Sequence, residues 1–475
     1  MKLLSFIKKH YIATIITSTL LYSLLSYILL FRSKAVDGIA HFYPDAERFL
    51  FETRTFLLNY NLNTVPTVLF GLIFLFAFLA YFIGLKINLP VKKTIAIAIL
   101  LQVISFFAFP IIESDIFSYM SSDRVTTVYN QNVWKVAPSS LPFDKFSELA
   151  DWKEFTRVYG WTNQFIYNIA AKAGNNDLVL TLISYKLVVF IFTLLSIYAV
   201  YRIANEFFSG NEANFIKLIF WNPLFLLEIV GAGHNDIIML FFMLVSFYLY
   251  LKNNYLLSGL SLAIAAQEKL IGAALFPFLL INLIAKKQYK KSFLFSSTFL
   301  TIFLFIFVFM DTNPIQFALR ALNNSGVFWQ GLPSLIFNLT GSKTPIFLFG
   351  FAIFNLILFF VQFKTKKNPI YFYIISMTAY LTFFASAYWN WYVLWAFAFV
   401  PFIENRSLKI SLLALTATST FAYVLYWISL RFGYQNITWS ILTYLFIFMI
   451  PFATYIYYQY RPHLNKKIQL TRPTS

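Results

Sequence analysis

The chain has 475 residues, 59% of them hydrophobic and only 12% charged, with a mean hydropathy of +0.69 and a formal charge of +18. Soluble chains carry about 25% charged residues, so a soluble enzyme is excluded, and continuous rather than alternating apolar runs exclude a transmembrane β-barrel. Cysteine is absent, which removes any disulfide framework, thiolate metal site or cysteine nucleophile.

Apolar stretches fall at 11–31, 65–85, 94–112, 178–201, 213–231, 236–251, 255–267, 270–285, 292–310, 346–363, 369–387, 391–403, 408–429 and 438–459. They predict an all-α polytopic membrane protein of about 12–14 spans. The count is a range because 255–267 and 391–403 are shorter than the ~17 residues a straight span needs. The first run is too long for a cleavable signal, and Phe31-Arg32-Ser33-Lys34 offers no small-residue cleavage site.

Basic residues orient these spans. With a cytoplasmic N-terminus, one set of short loops and both termini hold 22 of the 37 Lys and Arg, but only Glu206, Glu212 and Glu404 of the 19 acids. The excess positive charge therefore reads as an insertion signal with some affinity for anionic headgroups, and no nucleic-acid partner is implied. Both termini are expected in the cytoplasm, and the long loops, about 32–64, 113–177 and 311–345, on the exoplasmic side. Long loops of mixed charge are where binding and catalysis concentrate. Seven of the ten tryptophans, Trp389 and Trp391 among them, fall at or beyond the same boundary. They form either an aromatic belt or faces for sugar rings.

Few residues on that side carry chemistry. Glu113 and Asp115 sit at the membrane face after Pro110, where burial and mutual repulsion suit one of them to act as a general base. A plain helix N-cap at Ser114 or Asp115 explains the same residues. At the end of the fifth stretch come Glu228 and then Gly231-Ala232-Gly233-His234-Asn235-Asp236, a turn in which Asp236 could cap the next helix. Lys269 departs from the charge bias, held there by a lipid phosphate or by a salt bridge to Asp236 or Asp115. Arg157 and Arg320 are candidate further phosphate ligands. There is no phosphate-binding G-x-x-x-x-G-K loop, no H-E-x-x-H and no nucleophile elbow.

These motifs resemble the C-type (GT-C) superfamily of integral-membrane glycosyltransferases, and within it the bacterial polyprenol-phosphomannose-dependent α-mannosyltransferases. The resemblance rests on Glu113-x-Asp115 followed by Ile116-Phe117-Ser118-Tyr119, on Gly233-His234-Asn235-Asp236, on Lys269 before an apolar stretch ending at Pro277, and on Tyr159-Gly160 and Trp391-Tyr392. Trp161, where the family has proline, and Asn132-Val133-Trp134, in place of Asn-Pro-Tyr, depart from the pattern in a loop that shapes the acceptor site. The resemblance implies one transmembrane catalytic domain over 1–460 with a short basic tail at 461–475. It implies inverting transfer of a hexose, mannose by family, from a polyprenyl-phosphate donor to a hydroxyl of a glycan or glycolipid at the outer face of the cell membrane. Asp115 would be the base; Glu113 or Asp236 would orient the acceptor; Lys269, with His234 or an arginine, would neutralise the leaving phosphate; Asn235 and Tyr119 belong to the same binding motifs. No cofactor is required, and a divalent cation between paired carboxylates is compatible with the pattern. The competing expectation is a transporter or lipid flippase, which would place its ionisable groups near the bilayer midplane on two related halves.

Overall fold

The computed structural model describes residues 2–30, 35–59, 64–110, 114–311, 331–340, 346–385, 387–432 and 437–470, and every regular element among them is helical. The chain divides into two compact units, Met1–Asn324 and Ser325–Ser475. The first contains α1 (Lys2–Leu30), α2 (Ala35–Phe42), α3 (Glu47–Asn59), α4 (Thr64–Gly84), α5 (Val91–Phe106), α6 (Asp115–Thr127), α7 (Trp161–Ala173) and α8 (Leu178–Phe207). It continues through α9 (Glu212–Phe220), α10 (Pro223–Phe225), α11 (Asp236–Leu251), α12 (Tyr255–Glu268), α13 (Phe276–Ala285) and α14 (Tyr289–Met310). The second unit ends in a helix, Ile437–Leu470, that runs through the expected start of the tail at 461.

Among the described residues seven helices are long and apolar enough to cross a membrane: Ser5–Leu30, Thr67–Leu85, Leu178–Phe207, Tyr289–Met310, Ile346–Thr365, Arg406–Ser429 and Thr438–Tyr460. The protein is thus an all-helical polytopic membrane protein. The other expected stretches are shorter or interrupted. Glu212–Phe220 and Pro223–Gly231 meet at a bend of 54°. Pro223 supplies no N–H to continue the first helix, and the Asn222 side chain starts the second by accepting from the Leu224 N–H at 2.9 Å. The stretch at 255–267 is the 14-residue α12, and that at 391–403 breaks into a 3-10 turn, a short helix and a second 3-10 turn.

Helix α8 shows why these sequences suit lipid. Leu180, Ile183, Leu187, Ile191 and Leu195 recur every three or four residues on its outer face and are 39–52% exposed. Thr181, Tyr185, Lys186, Thr193 and Ser196 lie on the buried face. A water-soluble helix has the reverse arrangement. In a bilayer, apolar side chains outside cost nothing, while small and polar ones inside allow close packing and hydrogen bonds.

Lys186 uses that inner face to join two chain ends. Its ammonium donates to the carbonyl of Ala108, just past α5, and to that of Gly231 at 3.0 Å, where the turn after α10 closes. Both are C-terminal ends of helical segments, whose exposed carbonyls favour a cation. The segments that follow them carry Asp115 and His234, so one buried lysine fixes where both begin. Replacing Lys186 with Met removes two buried hydrogen bonds and leaves the carbonyls dry, at a cost on the order of 3 kcal/mol. Detergent-solubilised Lys186→Met protein should therefore melt several degrees below the parent; equal melting curves would show that the contact carries no stability.

Candidate active site

Asp115 opens α6, and the helix capping that its sequence position suggests is not what it does. Ser114 occupies the cap position without a capping hydrogen bond and is turned to Asp151. The Asp115 carboxylate accepts from Trp152 Nε1 at 2.9 Å and from Tyr119 Oη, one helical turn on, at 3.3 Å. Its side chain keeps 16% of its surface open. The acid is oriented on two sides and reachable on the third.

The second component is built by an irregular turn. After α10 the backbone widens into a π-helical turn, Leu226–Gly231, that carries Glu228, and Gly233 follows with φ +82°. Such wide turns recur at functional sites. Gly233 is required twice over: its φ lies in the left-handed region, and a Cβ there would stand 2.5 Å from Ile116 Cδ1. The turn seats the buried His234 between two acids, with Nδ1 3.9 Å from Asp115 Oδ2 and Nε2 3.2 Å from Glu228 Oε2. Tyr119 Oη lies 3.5 Å from the same Nδ1. Asn235 is fully buried, and neither atom of its amide finds a hydrogen-bond partner among the described residues. An orphaned amide of this kind costs about 1–3 kcal/mol.

Lys269 supplies the cation. Helices α11 and α12 form an antiparallel pair, so the start of one and the end of the other lie together. There Lys269 Nζ meets Asp236 Oδ1 at 2.9 Å. Asp236, at the first position of α11, makes this pair rather than a cap. Lys269 also sits 5.6 Å from the centre of the Tyr159 ring, which meets the Tyr119 ring edge to face at 5.5 Å. Burial works against the ammonium, but Asp236 and the nearby Tyr159 and Asp115 outweigh it and hold its pKa above the usual lysine value. Burial pushes the Tyr159 phenol up to about 12 in spite of Lys269. Both therefore keep their neutral-pH protonation, Lys269 charged and Tyr159 neutral. Asp115 and Lys269, with 16% and 15% of their side chains open, are the parts of the cluster that face outward, while Glu228, His234 and Asp236 are closed off.

A second layer holds the first. Asp123, two turns along α6, pairs with Arg157 at 2.5 Å and accepts from Tyr185 of α8 and Gln164 of α7 at 2.5 and 3.0 Å. Arg157 continues to Gln164 and Asn163, and Asn163 to Glu268, the neighbour of Lys269. Burial raises the Asp123 pKa against the pull of Arg157. Gly160, which starts α7, admits the Gln267 backbone where a Cβ would stand 2.3 Å from its carbonyl oxygen. The α6–α7 loop is thereby locked to the end of α12.

Of the residues singled out in the sequence, Asp115, Tyr119, His234, Asn235, Asp236 and Lys269 are brought together. Arg157 is not: its guanidinium is spent on Asp123, Gln164 and Asn163, one layer behind Lys269. Glu113 and Arg320 lie outside the described residues. Trp389 and Trp391 belong to the second unit, where their rings stack at 5.3 Å and Trp391 is buried. Lys186 and Trp152 complete the arrangement without having been candidates. Lys186 carried a legible signal, an ionisable residue inside an apolar stretch; the contact of Trp152 with Asp115 crosses 37 residues and left none. Among the described residues no group of three or more His, Asp or Glu is placed to hold a metal ion.

A membrane-embedded helical fold with an open carboxylate and a paired cation at one rim has the character of a C-type, mannosyltransferase-like membrane protein. The family described as "Alpha-(1->6)-mannopyranosyltransferase, N-terminal domain" matches residues 43–285, just over half of the chain and all of this cluster. The chain belongs to that family. It is similar to a relative from Corynebacterium glutamicum, "Alpha-(1->6)-mannopyranosyltransferase A", at 24% identity over 173 residues, 36% of this chain. The match spans about a third of that relative's length, 35%. No solved structure matches. If the Gly233 turn positions His234 as the geometry indicates, Gly233→Ala should cut activity at least tenfold. Adding Ile116→Ala should restore the part due to the Cβ contact but not the part due to φ, giving partial recovery in membrane assays.

Proposed function

We propose that the chain is an inverting mannosyltransferase that uses a polyprenyl-phosphate sugar and glycosylates a glycan or glycolipid hydroxyl at the outer face of the cell membrane. The observation that carries this reading is the pairing of an open, oriented carboxylate, Asp115, with a cation, Lys269, on one rim of a chain from a mannopyranosyltransferase family. In this reading both termini are cytoplasmic, as the distribution of basic residues favours.

The acceptor hydroxyl attacks the anomeric carbon while Asp115 takes its proton. The carbon–oxygen bond to the donor phosphate breaks on the opposite face, and the polyprenyl phosphate leaves with the bonding pair. One displacement inverts the anomeric centre and needs no covalent nucleophile. Trp152 and Tyr119 hold the Asp115 carboxylate in position. His234, close to Asp115 and Glu228, stabilises the proton once it has arrived. Lys269 offsets the charge that develops on the phosphate; an ammonium has three N–H donors, so it can engage phosphate and still keep Asp236. Asp236 orients Lys269. The divalent cation compatible with the sequence pattern enters no step of this scheme.

Asp115→Asn should lower transfer from polyprenyl-phosphate mannose in membranes about 10²–10⁴-fold with expression unchanged, the range of a general base. Full activity in that variant would remove the base assignment, and Glu113→Gln, assayed beside it, separates the two carboxylates. Lys269→Met should lose about 10²–10³-fold in kcat, as expected for a group that stabilises transition-state charge. A loss confined to the acceptor KM would contradict its phosphate role.

A further inference from the structure

A concave site lies in the first unit, away from Asp115. A cavity of about 420 Å³ opens between the C-terminal end of α6, the loop after it, the start of α7 and the end of α14. This volume is within the ~300–1,000 Å³ of small-ligand pockets. Its lining has five side-chain amides and four aromatic rings, and no charged side chain among the described residues.

The amides divide by what they already do. Asn132 is committed, donating to the Met310 carbonyl and accepting from the Trp134 N–H, and Gln164 is committed to Arg157, Asp123 and Asn168. Asn130 and Gln131 are exposed at the mouth. Asn130 is held there with φ +52°, a conformation set before any ligand arrives. Asn168 gives its oxygen to Gln164 and keeps its N–H groups. Across from them Trp161 stacks on Phe165 at 5.1 Å and 17°, and Phe309 lies 6.0 Å away, both phenylalanines more than half exposed. A rigid aromatic platform facing unspent amides suits a molecule with C–H faces and many hydroxyls. Among the described residues the lining offers amides and rings and no cation, which suits an uncharged ligand better than a phosphate.

Thr126, at the cavity wall, stands eleven positions after Asp115 on α6, about 16 Å along the helix axis. A sugar held here is therefore remote from the reacting hydroxyl. It is nonetheless coupled to the reaction site. Gln164 lines the cavity and braces Asp123–Arg157, and the Trp134 indole donates to the Tyr159 carbonyl at 2.8 Å, while the Tyr159 ring borders Lys269.

We propose that this cavity is a subsite for uncharged glycan, binding residues of the acceptor distant from the hydroxyl that is glycosylated. The inference rests on the acceptor being a glycan, as in the function proposed above. Binding at such a remote subsite lowers the barrier only if it also positions the reacting end, so longer acceptors should be the better ones.

The test uses the full chain in detergent without donor, titrated calorimetrically with α-(1→6)-linked mannotetraose. The parent and Asp115→Asn proteins should bind it alike, whereas Trp161→Ala and Asn168→Leu should each weaken binding at least tenfold, with Trp161→Phe recovering part of the loss. In transfer assays the ratio of kcat/KM for the tetraose to that for methyl α-mannoside should fall at least tenfold in Trp161→Ala. Parent-like binding in both Trp161→Ala and Asn168→Leu, or no binding by the parent, overturns the subsite even if Asp115-dependent transfer is intact. Saturable binding that depends on Trp161, in a protein that transfers no mannose, would keep the subsite and sink the proposed reaction instead.

Discussion

The contact between Lys269 and Asp236 decides the shape of the site. Two charges this deeply enclosed cannot be left single, because an unpaired buried ion costs several kcal/mol, and each is therefore bound to the other's position. Pairing at 2.9 Å fixes the end of α12 against the start of α11. From there the contacts run outward in two directions. Asp236 follows His234 within one turn, and His234 reaches Asp115; Lys269 borders Tyr159, whose ring meets Tyr119, which also reaches Asp115. The ring of contacts closes on a single open carboxylate. Two helix starts and one helix end, remote in sequence, are brought to within side-chain reach.

Behind that ring, rigidity comes from polar groups that have no exit to water. Tyr185, Asp123, Arg157, Asn163 and Glu268 form a continuous buried chain from α8 to the residue before Lys269. Such networks stabilise little relative to well-packed apolar groups, but a half-broken one is costly, so they specify one arrangement. Lys186 does the same for the backbone by binding the two carbonyl ends from which Asp115 and His234 descend. The cluster is thus supported by buried contacts from two directions, as a site that must hold its geometry to within about half an ångström requires.

Particular residues show how far the primary structure could be read. Asp115, Gly233-His234-Asn235-Asp236 and Lys269 were visible because charge is scarce in an apolar chain, and each scarce charge needs a reason. Arg157 looked like the same kind of residue and is not, because its partner Asp123 stands 34 positions away and only packing brings the two together. The two departures from the family pattern, Trp161 and Asn132-Val133-Trp134, stand apart in the chain, and packing brings them to the lining of one cavity. The capping explanations for Asp115 and Asp236 were sound as local chemistry; tertiary contacts to Trp152 and Lys269 displaced them. Bends at Asn222-Pro223 and within 390–402 shortened stretches that hydropathy alone reads as spans.

The sequence by itself determined the solvent, the helical class and which charged residues stand out in apolar surroundings. Each follows from composition or from short-range patterning: apolar runs demand lipid, lipid demands backbone hydrogen bonds made within the segment, and a lone ion in such a run demands a function or a partner. What only the tertiary structure decided is which partner each ion takes. That choice turns on distances of 3–4 Å between residues tens to more than a hundred positions apart, and no local pattern encodes it. Asp115 is open because Trp152 and Tyr119 turn it outward, and Arg157 is closed because Asp123 meets it; both facts belong to the packing of α6 against α7, α8 and α12.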